Sequence, residues 1–155
     1  MHPNAETITR FYSSFQRHDA EGMIACYAPD VEFSDEVFTD LRGPQAGAMW
    51  RMLCTRSGDL EITVNDVTAD GTTGHAHWDA RYTFSTTGRR VHNSIDASFE
   101  FRDGRIVRHR DRFSFWRWSR QALGATGWLL GWTPMVRNKV RGQAAAMLAK
   151  FSASA

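Results

Sequence analysis

Between Phe99 and Phe115 the chain reads FEFRDGRIVRHRDRFSF, and this stretch constrains the fold more than any other. Phe99, Phe101, Val107, Phe113 and Phe115 occupy odd positions, while Glu100, Arg102, Arg108, Arg110 and Arg112 occupy even ones. That is the period of two expected of strands with one wet face. Arg102-Asp103-Gly104-Arg105 supplies the turn of a hairpin, with a glycine able to take positive φ. Such a hairpin puts His109 and Asp111 on the apolar face, between Val107 and Phe113. A carboxylate among apolar neighbours is costly without a partner or a task, so these two residues are the first candidates for chemistry.

Upstream, helical spacing prevails as far as Arg56, interrupted by one short strand, and the period is two from Leu60 onward. Ile8, Phe11, Tyr12 and Phe15 recur at helical spacing, predicting an aromatic-faced helix over residues 5–18 with Asn4 as its cap. A short second helix is expected over residues 20–27, ended by Ala28-Pro29-Asp30, and a strand over 31–35 that places Asp35 on the face of Val31 and Phe33. Gly43-Pro44 opens a third helix over 45–56 bearing Met49, Trp50, Met52 and Leu53. From Leu60 onward the period is two, predicting strands over 61–69, 74–85 and 89–102. Their inward faces are Ile62 and Val64, then Ala76, Trp78, Ala80, Tyr82 and Phe84, then Val91, Asn93, Ile95 and Ala97; His75, His77, Asp79, Arg81 and Asp96 face outward. Beyond the hairpin, 116–123 reads as a helix, 124–134 as a glycine-punctuated apolar loop and 135–151 as a helix. The tryptophans of this last region are expected to seal the core or a dimer interface, or to form a lid over a pocket mouth.

The charge pattern narrows the function classes. A formal charge of +2 with arginines alternating along strands is not the contiguous basic patch that nucleic acid needs. No stretch is long and apolar enough to span a bilayer, and MHPNAETITR has no apolar signal core; the expectation is a cytoplasmic protein with neither nucleic-acid nor membrane partner. Cys26 and Cys54 lie on predicted helix faces outside any CxxC cluster and read as buried thiols. No histidine cluster has metal-ligand spacing and no glycine-rich loop cradles phosphate, so neither metal nor cofactor is expected.

Helix, helix, strand, helix and then a long meander is an α+β order in which a curved antiparallel or mixed sheet wraps the N-terminal helices into a cone-shaped α+β barrel. In this respect the chain resembles the nuclear transport factor 2-like superfamily, and within it the SnoaL-like and ketosteroid-isomerase-like proteins. FYSSFQRHDAEGMIACYAPDVEFSD, ending at Asp35, is similar to the opening of those proteins. FRDGRIVRHRDRF is similar to the final hairpin of SnoaL-like cyclases and limonene-epoxide-hydrolase-like enzymes, and QALG to the segment just after that hairpin. The resemblance covers about residues 5–124, so a cone domain is expected over 1–124, with 125–155 packed on it as a loop and helix.

The resemblance implies roles residue by residue. Asp35 matches the isomerase proton-transfer base, and Asp111 the acid/base aspartate of the cyclases and epoxide hydrolases. Phe11, with Tyr12 beside it, stands where the isomerase has its oxyanion tyrosine, and Ala97 where it has its protonated aspartate. Trp78 and Ala80 stand where the epoxide hydrolase has its Arg-x-Asp pair. Asp111, Asp35 and His109 are therefore the catalytic candidates, and Tyr12, Phe15, Trp50, Trp78, Tyr82, Asn93 and Phe113 the candidate walls of a pocket for a small hydrophobic ligand. The expected chemistry is cofactor-free acid/base catalysis of isomerase, cyclase or epoxide-hydrolase type. Two alternatives stay open: a non-catalytic binder or assembly domain, and an interaction module using the outer sheet face at His75, His77, Arg81 and Arg110. A homodimer is expected through that outer face, with Arg81, Asp96 and Glu100 pairing across a two-fold axis.

Overall fold

The structure, a computed structural model, describes residues 1–154. Helix α1 (Pro3–Gln16) and the short α2 (Ala20–Ile24) are followed by strand β1 (Tyr27–Ser34), the edge strand β2 (Leu41–Arg42) and helix α3 (Pro44–Arg56). Strands β3 (Glu61–Ala69), β4 (Thr73–Phe84), β5 (Arg89–Arg102) and β6 (Arg105–Arg112) form the meander. Helices α4 (Phe115–Ala122), α5 (Ala125–Leu130) and α6 (Pro134–Ser154) complete the chain.

The six strands form one curved sheet in the order β2-β1-β6-β5-β4-β3. It is mixed, because β1 runs parallel to β6 while every other pair is antiparallel. The sheet is α+β in class as expected, but it does not close into a barrel: β2 and β3 remain as its edges. Helices α1 and α3 fill its concave side, burying Ile8, Phe11, Tyr12, Phe15, Met49 and Trp50 against Trp78, Ile95, Phe99 and Ile106. Gly74 permits the close approach of α1 to β4, since a Cβ there would lie 2.7 Å from Ile8 Cδ1.

Several boundaries differ from the sequence reading. The cap of α1 is His2, whose Nδ1 accepts from the Asn4 amide at 3.0 Å. The Asn4 side chain instead donates to the Asp70 carbonyl at 2.9 Å. The second helix stops at Ile24 and Tyr27 already belongs to β1, where it pairs with Ile106. The segment expected as an apolar loop contains α5. In the final hairpin Ile106, not Val107, is the fully buried residue, because the β5–β6 register shifts between Glu100 and Phe101. The turn itself holds Asp103 at φ 53° and Gly104 at φ 77°, the pair of positive values a tight two-residue hairpin requires.

Of the C-terminal helices, α4 packs on β5 and α5, and α6 packs on α3. Phe115, Trp118, Ala122, Val136 and Val140 form a second apolar cluster with Val91, and Tyr82 and Phe113 touch both this cluster and the main core. Further along α6, Leu148 reaches the main core beside α3.

Candidate functional site

The inner face of β6 carries a buried chain of hydrogen bonds. His109 is fully buried and Asp111 is 2% exposed, so neither leaves water without partners. His109 Nε2 lies 2.8 Å from Asp111 Oδ1, and its Nδ1 lies 2.8 Å from the Tyr27 hydroxyl. Trp50 Nε1 donates to that hydroxyl at 2.9 Å, and Trp78 Nε1 donates to Asp111 Oδ1 at 3.4 Å. One assignment gives every donor an acceptor: Tyr27 accepts from Trp50 and donates to Nδ1, and Nε2–H donates to Asp111. The imidazole is boxed by Phe11, Phe33 and Phe99, the last at 4.4 Å between ring centroids. His109 therefore holds Asp111 and does not itself reach the open cleft beside it.

That cleft, of about 180 Å³, lies at the end of β1 and β6 and is bordered by Asp35, Asp111, Ser34, Arg110, Arg112 and Arg141. Asp35 follows the last residue of β1, and its Oδ1 caps the next turn by accepting from the amides of Val37 at 2.7 Å and Phe38 at 2.6 Å. It keeps partial solvent contact, yet protein walls it on most sides. Burial pushes its carboxyl from 3.8 up to about 7; the Phe38 and Val37 amides oppose that rise and the nearby Asp111 charge adds to it. Arg141 on α6 donates to the Glu36 carbonyl at 3.0 Å, tying the C-terminal helix to this rim.

The expected wall residues divide. Tyr12, Phe15, Trp50 and Trp78 are buried and pack against one another, Phe15 lying 5.1 Å from Trp50 and 5.5 Å from Trp78 between ring centroids. They border neither the cleft at Asp35 nor the smaller one, of about 60 Å³, between Phe33 and Arg108. The Tyr12 hydroxyl is buried without a hydrogen-bond partner, and burial, then the Asp111 charge, pushes its pKa well above the usual value. Tyr82 accepts from Trp118 Nε1 at 2.7 Å, and burial raises its phenol to about 12. Asn93 is buried on the inner face of β5 opposite Ala80, and Phe113 is half-buried below α4. Among the described residues no group of three or more His, Cys, Asp or Glu could hold a metal ion.

Sequence reasoning missed Tyr27 and Arg141. The signal for Tyr27 was Pro29, which disfavours helix in the residue before it and so argues for an extended chain from Ala28. Nothing local marks Arg141, whose place at the rim depends on how α6 returns across the sheet.

A curved sheet with N-terminal helices packed on its concave side is the fold of the NTF2-like class. An NTF2-like protein of unknown function from Burkholderia pseudomallei K96243 is 21% identical, with a TM-score of 0.68 over 79% of this chain and 98% of its own. A putative SnoaL-like polyketide cyclase from Jannaschia sp. CCS1 is 17% identical, with a TM-score of 0.69 over 79% and 92% of the two chains. An LEH-like epoxide hydrolase of M. tuberculosis is 22% identical, with a TM-score of 0.67 over 82% and 95%. At these identities the likeness is one of fold. The profile of the SnoaL-like domain matches residues 8–109, and the chain belongs to that family. No curated protein matches the sequence.

Proposed function

We propose that this SnoaL-like protein is a cofactor-free acid/base catalyst of isomerase, cyclase or epoxide-hydrolase type, acting on a small hydrophobic molecule whose reacting polar group enters the cleft between Asp35 and Asp111. The observation that carries this reading is that Asp35 and Asp111, two acidic residues in unlike surroundings, both border one cleft. Asp111, held by N–H donors from His109 and Trp78, serves as the proton acceptor. Asp35, with its carboxyl raised to about 7, can hold a proton near neutrality and deliver it to a carbonyl or epoxide oxygen. A substrate C–H or water proton passes to Asp111 as Asp35 gives one up, and the two carboxyls exchange states. His109, Tyr27 and Trp50 are positioning residues for Asp111.

The second reading is passive binding, in which the cleft holds a polar ligand group with no proton transfer, and the size of the cleft limits the ligand in either reading. A cleft of about 180 Å³ is smaller than the ~300 Å³ or more of typical small-molecule sites, and the aromatic side chains that would wall a larger one fill the interior themselves. Turnover and binding of steroid enones, polyketide esters and terpene epoxides separate the two. For a catalyst, Asp111→Asn lowers the rate by about 10² to 10⁴ with ligand affinity nearly unchanged. Binding without turnover in wild type, Asp35→Asn and Asp111→Asn alike would replace catalysis with the binding reading.

A further inference from the structure

The C-terminal helices carry an unusual combination. All 17 acidic residues of the chain lie at or before Asp111, whereas 7 of its 19 Lys and Arg follow it. The C-terminal helices are thus a cationic unit attached to a net acidic domain. On the same unit, Trp128 is 61% exposed, Leu129 70%, Trp132 70% and Met135 68%, and these are the most exposed large apolar side chains after Met1.

The local geometry explains why these side chains face outward. Helix α5 turns Gly127 toward α4, where a Cβ would collide with the Ser119 carbonyl. The close contact leaves Trp128, Leu129 and Leu130 on its outer side. Trp116 braces the outer side from below, donating from Nε1 to the Trp128 carbonyl at 3.1 Å, with the two rings 5.4 Å apart. The Arg120 guanidinium lies 4.7 Å over the Trp116 ring, bringing a cation beside the aromatic pair. The Trp132 indole N–H is already satisfied by the Leu129 carbonyl at 3.0 Å, so its ring can leave water with no donor stranded. Arg117 on α4 and Lys139 and Lys150 on α6 are exposed and add charge to the same helical unit.

We propose that the α5–α6 knuckle, through Trp128, Leu129, Trp132 and Met135, docks peripherally on an anionic lipid surface, with Arg117, Arg120 and Lys139 meeting the headgroups. Indole and aliphatic side chains suit the interfacial layer of a bilayer, and flanking cations add attraction only where the lipid is anionic. A second copy of the same patch is the poorer occupant, because a two-fold contact sets this acid-free segment against itself. Among the described residues no helix is long and apolar enough to cross a membrane, and a surface-lying knuckle needs no such span. The inference does not depend on the chemistry proposed for the cleft.

The test is flotation of the full chain with vesicles of phosphatidylcholine alone and of phosphatidylcholine with phosphatidylglycerol, together with tryptophan quenching by brominated acyl chains. Expected are binding to the anionic vesicles only, release by added salt, and quenching. Trp128→Ser with Trp132→Ser is expected to weaken binding by about tenfold or more at an unchanged urea midpoint. Arg117→Gln with Lys139→Gln is expected to weaken it by about tenfold or more and to flatten the salt dependence. Equal binding to both vesicle types, or binding to neither, overturns the proposal. So does a change of oligomeric state on Trp128→Ser with Trp132→Ser in the absence of lipid, which would assign the knuckle to a protein contact.

Discussion

Replacing Asp35 with an asparagine isolates the largest electrostatic cost at the cleft. The Asp35 carboxyl titrates near 3.9 in an unfolded chain and at about 7 in the folded one. Between those values the folded protein holds a proton that the unfolded chain has released. Stability therefore falls as pH rises through this window and levels off above it. A shift of roughly 3 units is worth at most ~4 kcal/mol at 1.36 kcal/mol per unit. Because the carboxyl keeps solvent contact at the cleft, about 2 kcal/mol is expected to survive screening. The carboxamide introduced by Asp35→Asn keeps an Oδ1 acceptor for the Val37 and Phe38 amides, so the caps remain and only the charge is removed. Urea denaturation from about pH 4 to about pH 8 should show the two proteins nearly equal at the acid end, with Asp35→Asn more stable by about 2 kcal/mol at the alkaline end. Parallel profiles would mean that the group is not raised, and a wild type gaining on the variant with pH would mean that the caps favour the charge over the neutral acid.

His109→Leu is expected to cost about 3 kcal/mol in urea denaturation, because it strands both the Tyr27 hydroxyl and Asp111 in the core; a loss below about 1 kcal/mol would show that the pair is re-satisfied by water. The outer face of β4 and β5 bears His77 between Asp96 at 3.0 Å and Asp79 at 3.6 Å, with Arg81 further along, and a homodimer is expected there that buries ~1,000 Å² or more. Light scattering should report the dimer at micromolar concentration and its weakening by Arg81→Glu; a monomer in the wild type removes it.

Where the chain's pattern was local, its structure was legible in the sequence. The bounds of β3 and β5 and the inward faces of β4 and β5 stem from alternation, which each strand carries in its own residues. His109 and Asp111 could be picked out because they interrupt that alternation with polarity. Tyr27 had only Pro29 as a local sign, since its strand exists through parallel pairing with Ile106 far along the chain. Helix α5 was hidden for a similar reason: glycines flank and interrupt it, and its helical form goes with the close seat of Gly127 on Ser119. The cleft's arginines belong to two elements, β6 and α6, whose meeting no short-range pattern encodes.

The irregularity at Val107 carries the orientation of the whole last strand. A tight turn at Asp103-Gly104 pairs Phe101 with Ile106, and a regular ladder counted from there would set Val107 opposite Glu100 and His109 opposite Ser98, turning His109 and Asp111 toward solvent. Instead Glu100 pairs with Arg108 and Phe99 with His109, so one residue is skipped and the parity of everything after it is reversed. Such a skip also tightens local twist. A single supernumerary residue thus acts as a half-period phase shift, letting a hairpin whose turn is set by glycine chemistry deliver its two polar side chains to the inside of a sheet curled at the same point.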